Sequence, residues 1–186
     1  MKKIYLSITG IVMAIVSLDA QTNLNIGGGY FGQTVTYPGF VLEAEMESMF
    51  SERASLPLRL DMGFYVHPRH STGVFLDLNA GFRRYFKSGL FLEESVGIGV
   101  LETFLQSDAV YSVNDAGIVS ETSRANPPEF MPSVTLGIGY NVTRGSGKQN
   151  LIWLRPKVYW QVPHKTVSLH NFALQVGFTR TISSSQ

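Results

Sequence analysis

The chain has 186 residues, 44% hydrophobic and 16% charged, a length for one domain and a composition too apolar for disorder. It has no cysteine, which excludes disulfides, thiolate metal sites and a cysteine nucleophile. The formal net charge is +1, and setting aside Lys2, Lys3 and Asp19 leaves 13 basic and 13 acidic side chains, a balance that argues against nucleic-acid binding through bulk charge.

Residues 1–20, MKKIYLSITGIVMAIVSLDA, join a basic start at Lys2 and Lys3 to an uncharged stretch of 15 residues from Ile4 to Leu18 and a small residue, Ala20. This is the three-part pattern of a secretory signal peptide. Leu18 is larger than the residue usually preferred there. The stretch is short of the ~20 residues that span a bilayer as a helix. The expected division is a signal peptide at 1–20 and one domain at 21–186.

From there the pattern has period two, in runs near 24–33, 38–50, 54–67, 72–86, 89–104, 131–143, 150–162 and 166–182. Even positions carry the apolar side chains. Leu56, Leu58, Leu60, Met62, Phe64 and Val66 alternate with Pro57, Arg59, Asp61, Gly63, Tyr65 and His67. A helix stripe recurs every three to four residues and does not fit. Tight turns are expected at Ser51–Arg53, Lys87–Gly89 and Arg144–Gln149, with one long polar loop at 105–130. The predicted fold is all-β, an eight-stranded antiparallel up-and-down transmembrane β-barrel.

Alternation leaves open which face lies inside, and three features point the apolar face toward lipid. Glycines at 27, 29, 63, 81, 97, 99, 137, 139 and 177 lie on the polar face, where a crowded bore has use for them. Aromatic residues of the apolar face gather in two girdles. Phe50, Phe86, Tyr140 and Phe178 lie toward the tight turns, and Phe40, Phe64, Phe104 and Trp160 toward the long loop. The polar face carries Glu43, Glu45, Glu47, Asp61, Asp77 and Glu93 together with Arg59, Arg83, Arg155 and Lys157. Buried together they are expected to pair as a luminal network, because an isolated buried charge is prohibitive. Three details resist the scheme. Glu94 falls on the lipid face, Pro156 interrupts a strand, and Val167 and Leu169 have the wrong parity, which predicts a bulge near His170–Asn171.

Over residues 24–182 the pattern resembles the small eight-stranded outer-membrane barrels of the OmpA/OmpX type. The run from Phe172 to Ile182 looks like the closing strand read by their assembly machinery, although Ser183 to Gln186 follow it. The resemblance implies an outer-membrane location, with lipid and that machinery as partners and no periplasmic domain.

Catalytic signals are weak. Ser168 and His170 are spaced like the serine–histidine pair of lipid A deacylases, which are also eight-stranded barrels. They stand in the opposite order and without an acid on either expected neighbouring strand. His67, His70 and His164 sit near outer turns with nothing to fix a coordination geometry. The glycine-rich run from Asn25 to Tyr30 has no helix after it and is not a phosphate loop. No catalytic, cofactor-binding or metal site is expected. The reading is a non-enzymatic outer-membrane barrel with a plugged polar lumen. It would act through extracellular loops, with 105–130 as the contact for a partner. The alternatives are a carrier of small apolar ligands, periplasmic and soluble or membrane-embedded, and a lipid A-modifying hydrolase.

Overall fold

Strands that alternate apolar and polar side chains must hide one face, and in this chain a closed ring does so. The computed structural model describes residues 21–107, 110–113, 117–143, 149–164 and 167–185. Residues 1–20, expected to be a signal peptide, and most of 144–149, expected to be a turn, lie outside them. The elements are β1 (Gln21–Gln33), β2 (Tyr37–Ser51), β3 (Ala54–His67), β4 (Ser71–Tyr85), β5 (Leu90–Leu105), β6 (Val110–Val113), β7 (Val119–Thr122), β8 (Glu129–Phe130), β9 (Ser133–Asn141), β10 (Asn150–His164) and β11 (Val167–Ser185). β1 through β5 pair in order with their neighbours, β9 pairs β5 and β10, and β10 pairs β11. β11 returns antiparallel to β1, from Thr22↔Ser185 to Gln33↔Ala173, and closes eight strands into a ring. β8 extends the β9 position between β5 and β10 across a break at Met131-Pro132, spanned by Met131 N donating to Gly99 O at 2.7 Å. Among the described residues each of the eight strands pairs within the ring with a neighbour on both sides, which is what a bilayer demands of strands.

The tight turn after β4 shows local sequence at work. Gly89 N donates to Phe86 O at 3.0 Å, and Gly89 adopts φ 91°, which a glycine takes without a Cβ clash. The region expected as one long loop is more ordered than its polarity implied: β6 and β7 form a hairpin from Val110↔Thr122 to Val113↔Val119.

The even positions face outward. Leu58, Leu60, Met62, Phe64, Leu76, Leu78, Val96 and Ile138 are all more than a third exposed, and odd neighbours such as Arg59, Asp61, Asp77 and Thr135 are 0–1% exposed. This contradicts the soluble carrier with an apolar interior. An apolar band that encircles the molecule far exceeds the patches that water-soluble monomers sustain.

Pro156 does not end its strand. The β9–β10 ladder skips from Leu154↔Ile138 to Lys157↔Thr135, while the β11 side runs unbroken through Pro156↔Leu174. Pro57 behaves likewise: the β3–β4 ladder skips from Ser55↔Arg83 to Leu58↔Ala80. Each proline lacks a donor and opens one ladder locally. The bulge expected at His170–Asn171 is absent, since the register through Trp160↔His170 and Tyr159↔Asn171 is regular. Irregularities fall instead between Gln161 and His164 on β10 and beside Leu24/Asn25, opposite β11. Val167 and Leu169 break parity because β1 ends at Gln33, opposite Ala173, so the start of β11 projects past the ring beside β10 alone.

Two outcomes follow from this geometry. Leu78→Arg should cost about 2–4 kcal/mol if it lies near the bilayer midplane, measured by urea unfolding in vesicles. Gly177→Leu should block closure, because a Cβ there meets the Trp153 ring at 2.4 Å and the Gly28 carbonyl at 2.6 Å. Loss of heat-modifiable gel migration reads that failure.

Candidate functional site: the bore and its rim

Three carboxylates of β2 enter the bore because Glu43, Glu45 and Glu47 share one strand face. β3 supplies Arg59 and Asp61, β4 Asp77, Asn79 and Arg83, β5 Glu93, and β10 Arg155 and Lys157. All ten charged residues are at most 5% exposed. Glu93 lies at the centre. Arg59 Nη1 donates to its Oε1 at 2.8 Å, Arg83 Nε donates to its Oε2 at 2.9 Å, and Arg155 Nε lies 2.9 Å from Oε1. Arg83 also donates to Glu45 Oε2 at 2.7 Å and Glu47 Oε1 at 3.1 Å, and Arg155 to Glu43 Oε2 at 2.6 Å. Arg59 Nε reaches Asp61 at 3.0 Å, and Lys157 pairs with Asp77. The structure thus brings together every charged residue expected in the lumen.

Neutral groups complete several of these contacts. Ser55 and Tyr85 hydroxyls donate to Glu47 Oε1 at 2.6 and 2.7 Å, and Asn25 donates to Glu45 at 3.0 Å. Thr179 donates to Glu43 and receives Trp153 Nε1 at 2.7 Å. Charged donors and acceptors held this way make strong hydrogen bonds, so the network binds seven strands to one another.

Aromatic side chains at odd positions, which the sequence reading did not assign, fill the bore on either side of the charges. Toward the long loop, Phe31 packs on Phe75 at 4.7 Å and Tyr65 at 6.0 Å, with Leu101, Met131 and Tyr159 buried in the same cluster. Toward the termini, Tyr85 meets Phe91 at 5.6 Å, and the Arg155 guanidinium lies 4.0 Å over the Trp153 ring. The signal that finds these rings is their cross-strand partner: Phe75 faces Gly63, Phe91 faces Gly139 and Trp153 faces Gly177. A Cβ at any of the three glycines would lie within 2.6 Å of the opposing ring.

Of the girdle residues, Phe40, Phe50, Phe64, Phe86, Phe104, Tyr140 and Phe178 are exposed on the outer face. Trp160 is half-buried, opposite His170 where β10 and β11 leave the ring. Ser168 and His170 are exposed on that extension; the residues of β10 opposite His170 and Leu169 are Trp160 and Gln161, neither an acid. The His67 ring packs at a tilt against Tyr37 at 3.9 Å and stacks on His70 at 4.9 Å, and His70 Nδ1 lies 3.2 Å from Ser71 Oγ. The side chain of His164 lies outside the described residues.

The network predicts a contrast. Arg83→Ala leaves Glu47 without a cation and removes the nearest one from Glu45, and should cost about 3–5 kcal/mol of unfolding free energy. Thr135→Val should change it by less than about 1 kcal/mol, because Thr135 Oγ1 is buried without a partner among the described residues. Equilibrium urea unfolding in one lipid measures both.

Neither a protein-family model nor a curated protein sequence matches the chain. Solved structures do. Neisserial surface protein A (NspA) aligns over 87% of this chain and 95% of its own, at 10% identity and a TM-score of 0.51. The N-terminal β-barrel domain of Pseudomonas aeruginosa OprF aligns over 86% and 99%, at 16% identity and a TM-score of 0.42. Ail, the attachment invasion locus protein of Yersinia pestis, aligns over 87% and 99%, at 13% identity and a TM-score of 0.46. With its closed ring and outward apolar face, the chain has the fold of the small eight-stranded outer-membrane β-barrels.

Proposed function

We propose that this protein is a non-enzymatic outer-membrane barrel whose bore is a plug and whose loop end meets a partner outside the cell. The observation that carries the reading is the filled bore, with ten charged side chains each beside an opposite charge and an aromatic and aliphatic layer stacked above them. Eight strands enclose an interior that side chains just fill, so the charges serve to hold the wall together rather than to pass solute. The segment at 1–20 would direct export, and β11 would be the strand offered to the assembly machinery.

The loop end supports the interaction role. The β6–β7 hairpin stands apart from the ring as its own two-stranded sheet. Tyr111 and Val119, on its two strands, are more than 60% exposed. A rigid scaffold that carries an exposed aromatic on a loop is a common layout for recognition.

Reconstituted into planar bilayers, the protein should give no stable large conductance; a reproducible large pore would overturn the plug. A photocrosslinker at Tyr111 should capture a partner on intact cells and lose it when Val119 is replaced by Asp. Capture that is indifferent to Val119→Asp would remove the hairpin from the proposal.

A further inference from the structure

Glu94 lies on the lipid-facing side of β5, and nothing in the luminal network uses it. It stands opposite Phe82 on β4 and Leu136 on β9. Phe82 packs at 6.1 Å against Phe50, one of the aromatic residues near the turns, so Glu94 joins the apolar band near its turn-side edge. Arg84 is also exposed and faces Leu92, which makes it the diagonal neighbour of Glu94, with Cβ atoms about 7 Å apart. Among the described residues, no ion pair joins the two.

Both residues line one groove of about 400 Å³, whose walls include Phe82, Leu92 and Leu136. A second groove, of about 300 Å³, shares Phe82, Glu94 and Leu136 and runs on past Ala80, Val96 and Val134. The trough has two local causes. Ala80 is a small residue between Leu78 and Phe82 in the outward row of β4. The ladders on either side are open, at Leu56–Pro57 against Gly81–Phe82 and at Arg155–Pro156 against Leu136–Gly137.

The geometry points to a phospholipid site on the outer wall of β4, β5 and β9, for a headgroup that carries both a phosphate and a primary ammonium. Arg84 offers the fork of donors that suits a phosphate, and Glu94 accepts the N–H donors of an ammonium. The acyl chain lies in the trough over Ala80. An opposite-charge pair at the edge of an apolar band matches a zwitterionic headgroup, where an anionic one would leave Glu94 uncompensated. The site rests on the membrane-embedded reading of the barrel.

The test uses the full barrel in vesicles of equal parts phosphatidylethanolamine, phosphatidylcholine and phosphatidylglycerol, with retained lipid read by native mass spectrometry. Phosphatidylethanolamine should be retained about fivefold over the other two. Glu94→Gln should bring it down to the phosphatidylcholine level, Arg84→Gln should lower all three, and Ala80→Leu should lower all three by filling the trough. Glu52→Gln, exposed at the same end, should change nothing. Equal retention of the three lipids, which a mutual Arg84–Glu94 pair predicts, overturns the site, as does a preference that survives Glu94→Gln. Heat-modifiable migration is read on every sample. A barrel that shows it without lipid preference overturns the site alone, and one that lacks it in vesicles overturns the membrane reading.

Discussion

Six carboxylates and four cations share a bore that admits almost no water, and the pairing of every carboxylate with one of the four cations is the constraint on which this barrel depends. A carboxylate taken out of water alone costs several kcal/mol even after relaxation. Glu93 avoids that cost by meeting three guanidinium groups, from β3, β4 and β10. The charges are therefore also cross-links, since satisfying any one of them requires strands far apart in sequence to lie in register. The outer wall obeys a complementary rule. Lipid offers the backbone no hydrogen bonds, so the β1–β11 ladder must close what the other seven ladders build.

Size complementarity inside the bore follows from that closure. A ring of eight strands has a fixed, small cross-section, so each large luminal ring needs a small partner. Phe75 over Gly63, Phe91 over Gly139 and Trp153 over Gly177 repeat one solution on three different strand pairs. The rings add a second benefit where they sit beside guanidinium groups, as Arg83 does 5.1 Å over Phe91. The layered filling, with charges between apolar layers, connects stability to the proposed role. A wall braced from within frees the loop end to vary.

Much of this was legible in the residues. On β3 the alternation of Leu58, Leu60 and Met62 with Arg59 and Asp61 determines both the strand and its two faces, because side-chain direction in a strand has period two. The glutamates of β2 could be assigned to the bore by the same parity. What parity does not supply is register. The meeting of Glu93 with three arginines depends on which residues lie opposite, and that is settled by closure over the whole ring. Phe31, Phe75, Phe91 and Trp153 went unassigned for this reason: an aromatic residue on a polar face becomes sensible only once its cross-strand glycine is known. The misplaced bulge has a different cause. Val167 and Leu169 do break parity, but they lie beyond the point where β1 ends, and a strand with one neighbour has no inside to keep.

The orientation of the wall is the central claim, and fluorescence quenching by lipids brominated along their acyl chains tests it most directly. The chain has two tryptophans, and Trp160→Phe leaves Trp153, which is 1% exposed in the bore. In that background Trp153 should be indifferent to brominated lipid, and adding Leu78→Trp should introduce an emission that brominated lipid quenches strongly. Quenching of Trp153 together with an unquenched tryptophan at position 78 would turn the barrel inside out and contradict the account.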